Sequence, residues 1–211
     1  MATQPARQYT LEEYFALELA SEEKYEFWDG NVFCMSGASL AHNRISRNLI
    51  SEASTRLRDR GCEVFPADLR IKVPAYPPYR YPDLSALCGR AEFERLGGLD
   101  LLINPALIVE VLSPSTEAFD RGDKFTYYKS IPSFAEYLLV AQHRPHVSQF
   151  VRGEGGVWTF VEFNDLGDTV ACASVPCELP LGEIYRDVAF EPAAARGESV
   201  LPPGDVSPRT A

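Results

Sequence analysis

Positive charge, histidine, paired cysteines and long apolar runs are all scarce in this chain of 211 residues. Each shortage removes a class of function. No apolar stretch approaches the roughly 20 residues that cross a bilayer. The opening MATQPARQYTLEEYF lacks the charged-then-apolar pattern of a secretory signal, so a cytoplasmic protein without a membrane partner is expected. The five cysteines, Cys34, Cys62, Cys88, Cys172 and Cys177, never fall in a Cys-x-x-Cys pair. Neither a disulfide framework nor a structural zinc site is expected of them; buried free thiols are. The three histidines form no His-Glu-x-x-His motif, and the His143/His146 pair flanks Arg144-Pro145 in a turn, which argues against a metal role. An internal repeat, a Gly-rich phosphate loop and a G-x-S-x-G elbow are also missing, which disfavours nucleotide-binding and serine-hydrolase readings.

Thirty acidic against 20 basic residues leave a formal charge of −10, which argues against non-specific polyanion binding. The charge is unevenly spread. Residues 1–30 hold seven acids against two bases, and residues 42–72 hold seven bases against four acids. The second segment offers a local basic face for phosphates or, equally, a solvated helix face.

What is present is an ordinary globular composition, 45% hydrophobic and 24% charged, long enough for one sizeable core. A single domain over residues 1–190 is expected. The tail from Glu191, with Pro192, Pro202, Pro203 and Pro208, is expected to be mobile.

Along the chain, Thr10 and Glu13 form a capping box that starts a helix to about Ala20. YEFWDGNVFCM has a hairpin turn at Asp29-Gly30. A long helix from about Ser39 to Arg60 is marked by Ile45, Leu49, Ala53 and Leu57 and ends at Gly61. CEVFPADLRIKV reads as one strand interrupted by Pro66, and PDLSAL as a short one. DRGDKFTYYKS supplies a helix and AEYLLVA a further strand, and three later strands, including TVACASV, look like a β-meander. This order predicts an α/β or α+β sheet with the long helix packed on it.

The central oddity is ALIVEVLSPST, where Glu110 stands in a continuous apolar run, residues 106–112. Such a run reads as a strand buried on both faces, with Leu107, Val109 and Val111 to one side and Ile108, Glu110 and Leu112 to the other. An unpaired carboxylate there costs several kcal/mol. A structural salt bridge, for instance to Arg70 or Lys72, would explain it. So would a site: Asp83, after Pro82, begins the preceding short strand, and two neighbouring strands can bring two carboxylates together. Left alone these would repel, whereas Mg²⁺ or Mn²⁺ between hard oxygen ligands relieves the repulsion. Lys124 on the next helix, sharing a face with Asp120 four residues earlier, supplies an ammonium for the water or the transition state.

These segments resemble a known family. PD, a spacer and an acid in an apolar strand are the signature of PD-(D/E)XK nucleases. KYEFWDGNVFCMSGASLAHNRI, YPDLSAL, PALIVEVLSPST and DRGDKFTYYKSIPSFAEYLLV resemble more closely the Uma-type restriction endonuclease family, covering most of residues 9–141. The resemblance implies a restriction-endonuclease-like fold, a mixed central sheet flanked by helices with an N-terminal helix-hairpin and a C-terminal meander. It also implies a Mg²⁺- or Mn²⁺-dependent endonuclease acting on DNA, with Asp83 and Glu110 as metal ligands and a homodimer as the working form. Leu112 stands where the superfamily places its lysine; this family is thought to move that lysine to the following helix, which here is Lys124. Glu26, in a hairpin strand, would be an added acid of the site or else a polar residue on the exposed side of an edge hairpin, and His42, near the start of the long helix, caps it, faces phosphate or is simply a surface histidine. The alternatives are a nuclease-fold module that binds nucleic acid or protein without catalysis and, with little support, a carboxylate-pair hydrolase such as a glycosidase.

Overall fold

The computed structural model describes residues 8–35 and 37–190, so the Pro-rich tail lies outside the described residues. Helix α1 (Leu11–Ala20) starts where the capping box predicts: Thr10 Oγ1 accepts from Glu13 N and a Glu13 oxygen accepts from Thr10 N. Strands β1 (Tyr25–Trp28) and β2 (Asn31–Cys34) form the hairpin. Its turn holds Asp29 and Gly30 at φ 44° and 75°, the left-handed pair that matches strand twist.

Helix α2 (Leu40–Leu57) is capped by Ser39, whose hydroxyl accepts from His42 N. The four-residue apolar spacing puts Ile45, Leu49, Ala53 and Leu57 on one buried stripe.

The segment expected as one interrupted strand is two strands in different sheets. They are β3 (Cys62–Pro66) in the central sheet and β4 (Arg70–Lys72) in a second sheet. Pro66 has no N–H to continue a ladder, and the turn after it redirects the chain. β5 (Tyr79–Arg80) pairs with β4, and the chain then crosses through Tyr81-Pro82-Asp83 into β6 (Leu84–Cys88) of the central sheet. Asp83 therefore sits where the chain changes sheets. A hairpin absent from the sequence reading follows: β7 (Phe93–Leu96) and β8 (Leu99–Leu102), turning at Gly97-Gly98 with φ of 57° and 87°.

Next come β9 (Leu107–Leu112), a helical segment, and β10 (Glu136–Ala141), which lies parallel to β9. The segment is α3 (Glu117–Phe119), a π-helical turn over Asp120–Lys124, and α4 (Phe125–Tyr128). β11 (Val147–Arg152) and β12 (Trp158–Phe163) continue the meander. The TVACASV strand does not join it. As β13 (Thr169–Ala171) it pairs with β14 (Glu178–Pro180) in a separate ribbon that leads into α5 (Leu181–Ile184).

Among the described residues the central sheet runs β12-β11-β10-β9-β6-β3, and the second runs β5-β4-β8-β7. The side-chain alternation expected of β9 holds. Leu107, Val109 and Val111 pack in the core under α2, whereas Ile108 and Leu112 join Phe125, Tyr128 and Tyr137 on the opposite face. A third apolar cluster, centred on Tyr14, Tyr79 and Tyr81, ties α1 to the second sheet. Buried Glu18 anchors it, accepting from Arg70 Nη2 at 2.9 Å, Tyr81 OH at 2.8 Å and Tyr25 N at 2.6 Å.

The expectation of free thiols fails at one pair. Cys62 and Cys88 face each other in the β3–β6 register and form a disulfide. Sequence spacing carries no sign of it because strand register decides which cysteines meet. Cys34, Cys172 and Cys177 are free. Among the described residues no helix is long and apolar enough to cross a membrane.

Candidate active site

β6 and β9 pair antiparallel with Leu84 opposite Val109, and one further step of that register sets Asp83 opposite Glu110. Asp83 Oδ2 accepts from Val111 N at 2.7 Å, which fixes its carboxylate against the strand. Its other oxygen lies 3.3 Å from Nε2 of His42, delivered by the first turn of α2. Burial alone would lower the pKa of His42, but Asp83, with help from Asp120 and the Val111 backbone, raises it above its ordinary value.

Glu110 is not partnered by Arg70 or Lys72, which pair with Glu18 and Glu94. Its Oε1 lies 2.8 Å from Nζ of Lys124 and accepts from Tyr128 OH at 2.9 Å. Lys124 lies 3.2 Å from Asp120 Oδ1, so the spacing of four that suggested a shared face does bring the two together. The angle leaves that Asp120 oxygen, though buried, without a hydrogen bond. Tyr137 OH donates to the Asp120 backbone carbonyl and steadies the π turn. Leu112 shares Glu110's face but packs into the apolar cluster. The ammonium thus arrives from the π turn, and such widened turns recur at functional sites.

The electrostatics are lopsided. Burial, together with the nearby charges of Asp120 and Asp83, holds the Glu110 carboxyl well above the usual carboxylate range, against the pull of Lys124. Burial would depress Lys124, yet Glu110, Asp120 and Glu26 raise it well above its ordinary value, so it stays an ammonium at neutral pH. Burial raises the Tyr128 phenol, with Glu110 and Glu26 adding and Arg80 opposing, so Tyr128 keeps the proton that it donates to Glu110. Negative groups outnumber positive ones here. Glu110, Asp120 and Lys124 are 4%, 2% and 6% exposed, whereas the Asp83 and His42 side chains are 17% and 16% exposed. The accessible side is therefore the Asp83–His42 edge, not Glu110 itself as the sequence suggested.

The structure brings Asp83, Glu110 and Lys124 together, with Glu26 beside them: its Oε1 accepts from Tyr81 N at 3.4 Å. Sequence reasoning underrated His42 and missed Tyr128 and Arg80. Tyr128 had a signal, since Asp120, Lys124 and Tyr128 are spaced by four. Arg80 had little beyond its place in YRYPD. It is 1% exposed, donates from Nη1 to its neighbour's carbonyl Tyr79 O at 2.7 Å, and leaves Nε and Nη2 without partners.

The residues suit a hard divalent cation. The acid excess and the raised Glu110 carboxyl are what such an ion relieves, and Asp83 and Glu110 are all-oxygen donors. Among the described residues no three His, Cys, Asp or Glu side chains form a ligand set, so these two would share the ion with water and substrate, as Mg²⁺ commonly does. The HxxH spacing gathers nothing of the kind: His146 is buried, its ring against Asn164 and Ser148.

The family model described as "Putative restriction endonuclease" (Uma2) matches residues 11–182. An uncharacterized protein of Synechocystis sp. is 33% identical over 179 residues, 85% of this chain and 92% of the relative. A second one from the same organism is 34% identical over 153 residues, 72% of this chain and 86% of the relative. A crystal structure from Anabaena variabilis, described as a "putative nuclease", superposes with a TM-score of 0.64 at 16% identity. It covers 82% of this chain and 97% of its own, a likeness of fold.

Proposed function

Since the chain belongs to the Uma2 family, we propose that it is a metal-dependent endonuclease that hydrolyses DNA phosphodiester bonds at the Asp83–Glu110–Lys124 cluster. The observation that carries the reading is the Lys124 ammonium 2.8 Å from Glu110, supplied from the π turn where Leu112 leaves the strand without a lysine. Asp83 and Glu110 would hold Mg²⁺ or Mn²⁺. The bound ion would lower the pKa of a water and neutralise charge on the scissile phosphate. Lys124, fixed by Glu110 and Asp120 and kept protonated, orients a hydrogen-bond acceptor and stabilises developing negative charge; it does not remove a proton. Tyr128 donates to Glu110 and so fixes its rotamer. Glu26 adds negative charge that favours both the ammonium and a cation. A homodimer would supply a second site for the second strand, and light scattering reads that directly.

Plasmid incubated with Mg²⁺ or Mn²⁺ is expected to be nicked, EDTA to stop the nicking, and Glu110→Gln to be inert. Equal nicking by Glu110→Gln would remove Glu110 from the chemistry. A non-catalytic module is the second reading, favoured by the near-complete burial of Glu110 and its occupied Oε1. Mn²⁺ titration of wild type and Asp83→Asn separates the two. Tighter binding by wild type supports the enzyme, and identical or absent binding supports the module.

A further inference from the structure

Beside the acid cluster lies a second group of side chains carried by the same elements. On β1, Trp28 is two residues from Glu26 and shares its face of the strand. On the helical segment, Phe119 adjoins Asp120, and Tyr127 adjoins Tyr128. Trp28 stands 4.9 Å from Tyr76, 5.4 Å from Tyr127 and 4.7 Å from Phe119, and Tyr76 stacks on Tyr127 at 4.7 Å. All four rings are partly buried and reach the surface. Beneath them lies the Arg80 guanidinium, 5.8 Å from the Trp28 ring and 5.5 Å from the Tyr76 ring. Its Nε and Nη2 are buried and have no hydrogen-bond partner. Buried charged donors rarely go unmet, and a guanidinium fork matches phosphate geometry.

We propose that Arg80 and the rings of Trp28, Tyr76 and Tyr127 form a subsite for one unpaired nucleotide, the guanidinium taking its phosphate and the rings its base. The proposal rests on the nucleic-acid reading above and adds to it a preference for a nucleotide that is unpaired, in a single strand or a locally opened duplex. Duplex binding draws on many phosphate contacts, which a chain of charge −10 with an acidic N-terminal segment does not favour. Base stacking needs no net charge and is sequence-tolerant. Arg80 is reached only as Trp28 and Tyr76 shift, so Trp28 emission reports occupancy.

The chain has two tryptophans, so a Trp158→Phe protein has Trp28 as its sole tryptophan, read by exciting where tyrosine does not absorb. Titrated in EDTA with a short single-stranded DNA and with the matching duplex, its emission is expected to respond to the single strand at concentrations roughly tenfold lower than to the duplex. Equal response to a single-stranded RNA supports the same subsite, base and phosphate being common to both. Tyr127→Ala, which removes a ring and no charged group, is expected to weaken single-strand binding roughly tenfold. Arg80→Gln, checked for fold by circular dichroism, is expected to weaken it at least as much. Equal affinity for duplex and single strand, or unchanged binding by Tyr127→Ala, overturns the proposal. Binding is read without metal or cleavage, so a protein that fails to nick plasmid can still pass this test, and one that nicks can fail it.

Discussion

Glu110 and Glu136 are both buried glutamates on the adjacent parallel strands β9 and β10, and their surroundings are opposite. Glu136 is 0% exposed. One of its oxygens accepts from Gln149 Nε2 at 2.6 Å, and the other from Ala173 N at 2.9 Å, Ser174 N at 2.8 Å and Ser174 Oγ at 2.7 Å. Neutral donors satisfy it fully, and it pins the turn between β13 and β14 to the sheet. Glu110 shares its surroundings with Asp120, Asp83 and a single lysine, beside an Asp120 oxygen that lacks a hydrogen bond. Leu139 is opposite Glu110 and Leu107 opposite Glu136. The two acids are thus offset by three residues, about 10 Å, on opposite faces of the sheet. An acid supplied with enough donors builds structure; one crowded by like charge is held ready for something else.

Exchanging the same atom at both positions gives the sharpest test. Glu110→Gln is expected to lose about a thousandfold or more of metal-dependent nicking while unfolding at nearly the wild-type denaturant concentration. Glu136→Gln is expected to do the reverse. A glutamine keeps one acceptor oxygen, so its NH₂ must face either the Ala173 and Ser174 N–H groups or Gln149 Nε2, costing about 2–4 kcal/mol, while the folded fraction keeps its rate. If both variants lose stability and neither loses activity, the two acids are alike and the distinction fails. A smaller effect is expected of Lys124→Met, about a hundredfold in rate. A wild-type rate there would leave the π turn without a chemical role. Smallest is Glu26→Gln, about tenfold or less, because Glu26 acts on the cluster only through its charge. A loss equal to that of Glu110→Gln would make it a full member of the site.

Much of this was legible in the sequence because the signals were local. The capping box at Thr10, the Asp29-Gly30 turn, the apolar spacing of α2 and the alternation along β9 each act within a few residues. The placement of Asp83, Glu110 and Lys124 followed from the PD and acid pattern together with the Asp120/Lys124 spacing. What escaped depends on long-range geometry. Cys62 meets Cys88 only through β3–β6 register, and TVACASV leaves the meander to pair with β14, a partner that only the folded chain brings to it. Arg80 lies under the aromatic rings because the chain changes sheets just after it. The β7–β8 hairpin did carry a local sign, the Gly97-Gly98 pair, which went unread between short strands of mixed polarity. His42 looked like a surface residue because its partner Asp83 lies 41 positions away in the sequence.

The π turn over Asp120–Lys124 has a bearing on how such a site is acquired or lost. A turn of this kind carries one residue more than an α-helical turn over the same path, and each residue of an α-helix rotates the chain by about 100°. Phe125 and Tyr128, just beyond it, are locked in the apolar face of the sheet. Deleting the exposed Gly122, where a side chain would meet open space, would therefore leave the downstream anchors in place. The rotation would fall on Asp120 and the residues before it, turning the Asp120/Lys124 pair from a spacing of four into a spacing of three and changing how the acid meets the ammonium. The partnership of Asp120 with this ammonium is a residue count, and one codon inserted or removed would suffice to change it.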